Sequence, residues 1–162
     1  MSRPFNIMKF PDVLQAMLRL SEVSENSTLE PKLLELVKLR ASQINGCGYC
    51  VDMHTKDARL EGETEQRLYL LNAWWETSLY SAREQAALAW TEAVTRLEGQ
   101  RVPDAAYEKV RAQFSEEELA HLTLAVVAIN GWNRFNIAFQ VPAGSYKAGS
   151  LKAMKSAQAR AS

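Results

Sequence analysis

The sequence is poor in cysteine and histidine and carries no net charge. Two of its 162 residues are cysteines and two are histidines, and nineteen basic residues balance nineteen acidic ones. Two cysteines are too few to cross-link a small secreted domain of the disulfide-rich kind. A net charge of zero argues against the broadly basic surface with which many proteins bind nucleic acids, so no nucleic-acid partner is expected.

Long hydrophobic runs are also absent from the sequence. The longest apolar stretch, residues 119–129, is interrupted by His121 and Thr123. It stays well short of the roughly 20 apolar residues that a membrane span needs. The first residues lack the apolar core of a secretory signal. These observations predict a cytoplasmic protein that does not associate with membranes.

Apolar residues recur with helical spacing along most of the chain, whereas strand-like alternation is missing. Ser81 followed by Glu84, and Ser115 followed by Glu118, have the spacing of helix capping boxes. Short polar segments separate the predicted helices, which is typical of a helical bundle. The predicted fold is therefore all-α.

The chain length and the short connections predict one domain over residues 1–162. After Glu118 the sequence contains no acidic residue but five basic ones, Arg134, Lys147, Lys152, Lys155 and Arg160. Residues 145–162 are therefore predicted to form a basic C-terminal tail. Such a tail is either solvated or docks onto an acidic neighbouring subunit.

An internal similarity relates residues 34–46 to residues 119–131. Five of the thirteen positions are identical, and three of these form a contiguous Ile-Asn-Gly in both segments. Because Asn-Gly is a common helix stop, the similarity predicts an internal repeat of two helix pairs, each broken at its Asn-Gly.

The two segments of this repeat differ in their chemistry. Glu35, Cys47, Cys50 and His54 in the first copy align with Ala120, Trp132, Phe135 and Phe139 in the second. Polar groups in such positions are costly unless they are paired. The difference therefore indicates that the polar residues of the first copy have a function.

Glu35, Cys47, Cys50 and His54 have the spacing of a catalytic group. The cysteines are three residues apart and His54 follows four residues later, so all three share one helix face. Cys47 comes just after the Asn-Gly break, near a helix N-terminus, where the helix dipole stabilises a thiolate. A histidine within reach can exchange a proton with a thiol, and Glu35 on the preceding helix can orient it. This arrangement suits attack on a peroxide followed by disulfide formation.

The pattern Glu35-x11-Cys47-x2-Cys50-x3-His54 resembles the signature of the alkylhydroperoxidase AhpD-like group in the carboxymuconolactone decarboxylase superfamily. The resemblance implies an AhpD-like helical bundle, a homo-oligomer such as a trimer or hexamer, and reduction of small hydroperoxides by the cysteine pair. It also implies that Cys50 becomes the sulfenic acid, that Cys47 is the proton donor and resolving thiol, and that Glu35 and His54 form a proton relay. A dithiol or a lipoyl-bearing protein is the implied reductant. Neither a cofactor nor a metal ion is expected.

Tyr49 departs from the pattern of alkylhydroperoxidase D, which has a relay histidine at the position before the second cysteine. A tyrosine there either donates a hydrogen bond to a peroxide oxygen or serves only in packing. The attacking thiol is also open to two interpretations. The helix dipole favours Cys47, whereas the resemblance and the adjacent base His54 favour Cys50, which we take as the nucleophile.

Several alternatives use the same residues. A zinc site would combine Cys47, Cys50 and His54 with Glu35 as a fourth ligand. The cysteines are otherwise two inert core residues, or the switch of a non-catalytic redox-sensing or interaction oligomer. A carboxymuconolactone-decarboxylase-like lyase would tolerate the replacement of both cysteines, whereas a peroxidase would not.

Overall fold

The computed structural model describes Arg3 and residues 5–154, and all the regular structure in this part is helical. The all-α prediction is confirmed. The helices are α1 (Pro11–Glu25), α2 (Pro31–Asn45), α3 (Gly48–Leu60), α4 (Glu65–Leu70), α5 (Ala82–Arg96), α6 (Asp104–Arg111) and α7 (Glu116–Ala138). Short 3₁₀ helices are formed by Ile7–Lys9, Leu71–Glu76 and Glu98–Gln100. Across these described residues, no helix combines the length and apolar character that crossing a membrane requires.

Helix α2 lies at the centre of the fold and packs against α3, α5 and α7. Residues 33–42 of this helix are all buried. Leu34 and Val37 belong to a core cluster with residues of α5 and α7, while Leu36 and Leu39 belong to a second cluster with residues of α3 and α4. Because α2 is enclosed on every side, its polar side chains must find their partners inside the protein.

Both capping boxes are present in the structure. The Ser81 hydroxyl accepts from the backbone N–H of Glu84, whose carboxylate accepts from the backbone N–H of Ser81. Ser115 and Glu118 make the same reciprocal pair at the start of α7. These interactions satisfy N–H groups that have no partner within the helix, so they fix where α5 and α7 begin.

The junction between α2 and α3 places the first cysteine. Gly46 ends α2 in the left-handed conformation, with φ of 70°. The backbone N–H groups of Gly46 and Cys47 donate to the carbonyls of Gln43 and Ser42 in the last helical turn. Cys47 thereby becomes the N-cap residue of α3.

Replacing Gly46 with alanine is expected to destabilise the protein by about 1 kcal/mol, since a left-handed backbone is unfavourable for a residue with a Cβ. No atom lies within 4 Å of the added Cβ, so the cost is conformational. Gly48→Ala is the matched control, because its Cβ would meet only Ala143 at an ordinary 3.6 Å. Urea unfolding of both variants measures the difference; equal midpoints would show that the junction bears no strain.

The predicted internal repeat of helix pairs is wrong. α7 continues without a break through Asn130 and Gly131, whereas α2 and α3 are separated at Gly46. A Cβ at Gly131 would lie 3.0 Å from the Cε of Met17 on α1. Gly131 therefore lies where Met17 of α1 packs closely against α7, and it does not form a turn. The similarity aligned Asn45 with Asn130. The side-chain amide of Asn45 donates to the side-chain oxygen of Asn130 at 3.0 Å.

The segment after α7 lies along α3. The Tyr146 hydroxyl donates to Asp57 at 2.8 Å, and the second oxygen of Asp57 accepts from the N–H of Gly149. Lys56 donates to the carbonyl of Tyr146 at 2.9 Å. The first part of the predicted basic tail is thus packed on α3, while residues 155–162, including Lys155 and Arg160, lie outside the described residues. The single domain stays a prediction.

Candidate active site

The two cysteines lie in direct contact at the start of α3. Their sulfur atoms are 2.8 Å apart without a disulfide bond, and both side chains are buried, at 1% and 0% exposure. The backbone N–H of Cys50 donates to the sulfur of Cys47 at 3.4 Å, as expected for an N-cap residue. The sequence spacing therefore led to the correct placement of this pair.

The contact between the sulfurs shifts the pKa values of the two thiols in opposite directions. The hydrogen bond from the Cys50 thiol lowers the pKa of Cys47 to about 7, against the opposing effect of burial, and the backbone N–H of Cys50 contributes in the same direction. The same bond, together with burial, raises the pKa of Cys50. Above about pH 7 the pair therefore holds one proton between its two sulfurs, with the negative charge greater on Cys47.

Asparagine side chains of α7 surround the sulfurs. Asn136 donates to the sulfur of Cys50 at 3.2 Å. Asn133, buried one turn earlier, lowers the pKa of both thiols by hydrogen bonding and is held by Ser42 and Asn45. Our sequence reasoning missed both residues. The signal was available, because Asn130, Asn133 and Asn136 repeat every three residues in a helix that is otherwise mostly apolar.

Glu35 and His54 form the second predicted pair. The Nδ1 atom of His54 lies 2.8 Å from Oε2 of Glu35, and both side chains are buried. The other carboxylate oxygen of Glu35 accepts from Lys38 at 3.4 Å, and Lys38 also donates to Glu25 of α1 at 2.8 Å. Sequence reasoning found Glu35 and His54 but missed Lys38.

The charges around Glu35 keep it ionised. Burial opposes ionisation, but His54 and Lys38 together outweigh this effect and lower the pKa of Glu35 to about 2. Burial likewise disfavours the charged form of Lys38, but Glu35 and Glu25 raise the pKa of its ammonium group. Because Glu35 is a carboxylate at working pH, it accepts the Nδ1 proton of His54 and leaves Nε2 as the basic nitrogen.

A cavity of about 480 Å³ adjoins both pairs. Its wall is mostly apolar and includes Phe5, Trp132 and Phe135, with His54 and Asn136 among its polar groups. The cysteine sulfurs are behind this wall, since their neighbours rather than the cysteines themselves line it. The cavity therefore has the size and the mostly apolar lining that are typical of a site for a small organic molecule.

Tyr49 lies in the cavity wall and is half-buried. Its ring meets the ring of Tyr146 edge to face, with 6.4 Å between centroids. Burial raises the pKa of Tyr49, and the nearby Cys50 and Asp52 act in the same direction, so its hydroxyl stays a donor. The choice between a hydrogen-bonding role and a packing role stays a hypothesis.

The zinc alternative required Cys47, Cys50 and His54 to converge with a fourth ligand. Across Arg3 and residues 5–154, no three side chains of the histidine, cysteine, aspartate or glutamate type are grouped so as to hold a metal ion. Glu35 and His54 are instead bonded to each other.

Comparison with known proteins shows the family of the chain. The model of the family described as "Carboxymuconolactone decarboxylase family" matches residues 11–93, slightly more than half of the chain. The uncharacterized protein YdfG of Bacillus subtilis (strain 168) is 44% identical over 79% of this chain and 87% of its own. The chain therefore belongs to the carboxymuconolactone decarboxylase family.

Solved structures show the same fold. A protein of unknown function from Agrobacterium tumefaciens, ATU0492, provisionally assigned as the antioxidant defence protein AhpD, is 39% identical with a TM-score of 0.85, covering 90% of this chain and 100% of its own. The debrominase Bmp8, a C82A variant solved with 2,3,4-tribromopyrrole, has a TM-score of 0.77 at 18% identity, covering 86% of this chain and 74% of its own. The AhpD-like fold is thus shared by proteins of different chemistry.

Proposed function

We propose that this protein is a thiol-dependent peroxidase that reduces organic hydroperoxides through Cys47 and Cys50. The observation that carries the proposal is the contact of the two sulfurs at 2.8 Å, with the pKa of one thiol lowered to about 7. A thiolate beside a second thiol is the arrangement that forms a sulfenic acid and then resolves it as a disulfide.

The reaction has two steps within the protein. The sulfur of Cys50 attacks the terminal peroxide oxygen, so an S–O bond forms, the O–O bond breaks, and the peroxide is reduced by two electrons. The proton of the Cys50 thiol passes by way of Cys47 or His54 to the alkoxide, which leaves as an alcohol. Cys47 then attacks the sulfenic acid, forming the disulfide and releasing water. An external dithiol restores both thiols by exchange.

Cys50 is our choice of nucleophile because its sulfur contacts Asn136, a residue of the cavity wall. Asn136 lines the cavity and donates to the sulfur of Cys50, so a peroxide bound against Asn136 lies next to that atom. The lower pKa of Cys47 fits a group that takes up the proton of Cys50 and afterwards acts as the resolving thiolate.

The direct test is stopped-flow oxidation of the reduced protein by cumene hydroperoxide and by hydrogen peroxide, with thiols counted after each reaction. Rapid loss of two thiols per peroxide, followed by turnover with a dithiol, supports the proposal. Oxidation no faster than that of free cysteine would overturn it. A reversible disulfide without turnover would instead indicate the redox-sensing alternative, and the lyase is tested by retention of its activity in the double Cys→Ser variant.

Replacing Asn136 with leucine is expected to slow peroxide oxidation of the dithiol by about 10-fold, because Cys50 loses a hydrogen-bond donor that lowers its pKa and so favours its reactive thiolate form. Asn136→Asp is the matched variant of nearly equal size, and its added negative charge is expected to slow the reaction further. Rates are measured under pseudo-first-order peroxide. A rate unchanged in both variants would show that Asn136 has no part in the reaction.

The proposed assembly and location follow from the family resemblance. A trimer or hexamer, a dithiol or lipoyl-protein reductant and a cytoplasmic location stay predictions, and each is open to direct measurement on the purified protein or in cells.

A further inference from the structure

Lys38 is a buried lysine in the middle of the central helix α2. Its ammonium group donates to Glu25 of α1 at 2.8 Å and to Glu35 of its own helix at 3.4 Å. A buried charge is costly even when it is paired, and an apolar residue of similar volume is often at least as stable in such a place. Packing alone therefore does not account for a lysine here.

The bonds of Glu35 are divided between two partners. Oε1 of Glu35 accepts from Lys38, and Oε2 contacts Nδ1 of His54. The carboxylate thus lies between the lysine and the imidazole and contacts both. Lys38 is itself fixed from outside α2, because Glu25 belongs to α1.

We propose that Lys38 is a positioning residue for His54, acting through the Glu35 carboxylate that lies between them. This inference rests on the proposed function only for its kinetic consequences. With Glu35 fixed as an acceptor, the imidazole is held in the tautomer that has its proton on Nδ1, and Nε2 is kept ready to exchange protons during peroxide reduction.

The remaining charged groups near α2 are engaged elsewhere. On α5, Glu92 pairs with Arg40 and Arg96. On α7, Glu118 pairs with Arg83, and Arg134 donates to Asn130. The groups that meet Glu35 directly are therefore Lys38 from its own helix and His54 from α3, with Glu25 acting from α1 through Lys38.

The pH dependence has a definite sign. The positive charge of Lys38 lowers the pKa of Glu35, so its removal is expected to raise that pKa. Glu35 would then lose its carboxylate at a higher pH than in the parent protein. The pH below which His54 loses its carboxylate acceptor should move upward accordingly.

The variants are Lys38→Met, which keeps the length without the charge, and Lys38→Arg, which keeps the charge. Lys32→Met is the matched control, an exposed lysine on the same helix. We expect Lys38→Met to lower kcat for peroxide by about 10-fold with little change in KM, as other residues that orient catalytic groups do. Lys38→Arg should recover most of this loss, and the control should match the parent. If Lys38→Met fails to fold, Lys38→Gln replaces it.

The decisive readout is the tautomer of His54, measured from its imidazole ¹⁵N chemical shifts. His121→Gln removes the only other histidine, so the remaining signals belong to His54. We expect the proton on Nδ1 in the parent and in Lys38→Arg, and a mixture of tautomers in Lys38→Met. An unchanged tautomer in Lys38→Met overturns the inference, whatever the kinetics. Failure of the parent to reduce any peroxide would overturn the proposed function instead, and the shifts would still decide the role of Lys38.

Discussion

Replacement of Cys50 with serine is expected to lower peroxide reduction by at least ~1000-fold, since removing a catalytic nucleophile removes the reaction path itself. Serine nearly matches cysteine in size, and its hydroxyl can accept the hydrogen bond of Asn136, so the fold should be retained although Cys50 is fully buried. The measurement is dithiol-dependent loss of cumene hydroperoxide, with circular dichroism to confirm that the variant is folded.

Cys47→Ser separates the roles of the two thiols. Serine is a good N-cap residue, so α3 should still begin at the same place. We expect Cys50 to be oxidised once, to a sulfenic acid that dimedone traps, with no disulfide and no second turnover. Dimedone adduct on Cys47 in the Cys50→Ser protein, with rapid peroxide consumption, would reverse our assignment and make Cys47 the nucleophile.

Replacement of Glu35 with glutamine is expected to have a large effect on both activity and stability. The ionised side chain is bonded to Lys38 and His54, and both would lose a charged partner in the interior. Breaking a buried ion pair in this way costs about 3 kcal/mol. Activity should fall about 100-fold, because His54 loses the carboxylate that orients it. Urea unfolding and peroxide turnover measure the two effects.

The stability effect of Glu35 has a pH signature. The pKa of its carboxyl is about 2 in the folded protein and 4.5 in the reference state, so the folded state favours the ionised form. The resulting stability is fully present above pH 4.5 and is lost as the pH falls toward 2. The deficit of Glu35→Gln relative to the parent should therefore shrink over this interval. The exposed Glu98→Gln is the control, and a deficit independent of pH would contradict the assignment.

Much of the fold could be predicted because it depends on local signals. The capping boxes at Ser81 and Ser115 and the stop at Gly46 act over a few residues, so their sequence pattern is nearly sufficient. The second Asn-Gly pair, Asn130 and Gly131, gave the wrong prediction, because the conformation of the chain there depends on a residue that is distant in the sequence. The glycine there makes room for Met17 of α1, and nothing nearby in the sequence reports that contact.

In the candidate site, too, the residues that are close together in the sequence could be predicted and those that depend on distant contacts could not. Cys47, Cys50 and His54 belong to α3 and its N-cap, so their spacing was enough to group them, and Glu35 was found by comparing the two similar segments. Lys38 and Asn136 were missed because their roles depend on contacts between α1, α2, α3 and α7. A signal for Lys38 exists, since it lies three residues after Glu35 within a run of otherwise mostly apolar residues.

The short distance between the two sulfurs also bears on survival in excess oxidant. A sulfenic acid on Cys50 would already touch its resolving partner, because the sulfurs are 2.8 Å apart within one helical turn. Enzymes in which the resolving thiol must first travel leave the sulfenic acid exposed to a second peroxide molecule, which carries it to the irreversible sulfinic stage. In this protein, disulfide closure needs no unfolding of α3. Overoxidation of Cys50 should therefore be slow relative to disulfide formation. Dithiols should restore the protein after exposure to peroxide concentrations that would inactivate a protein whose sulfenic acid is readily overoxidised.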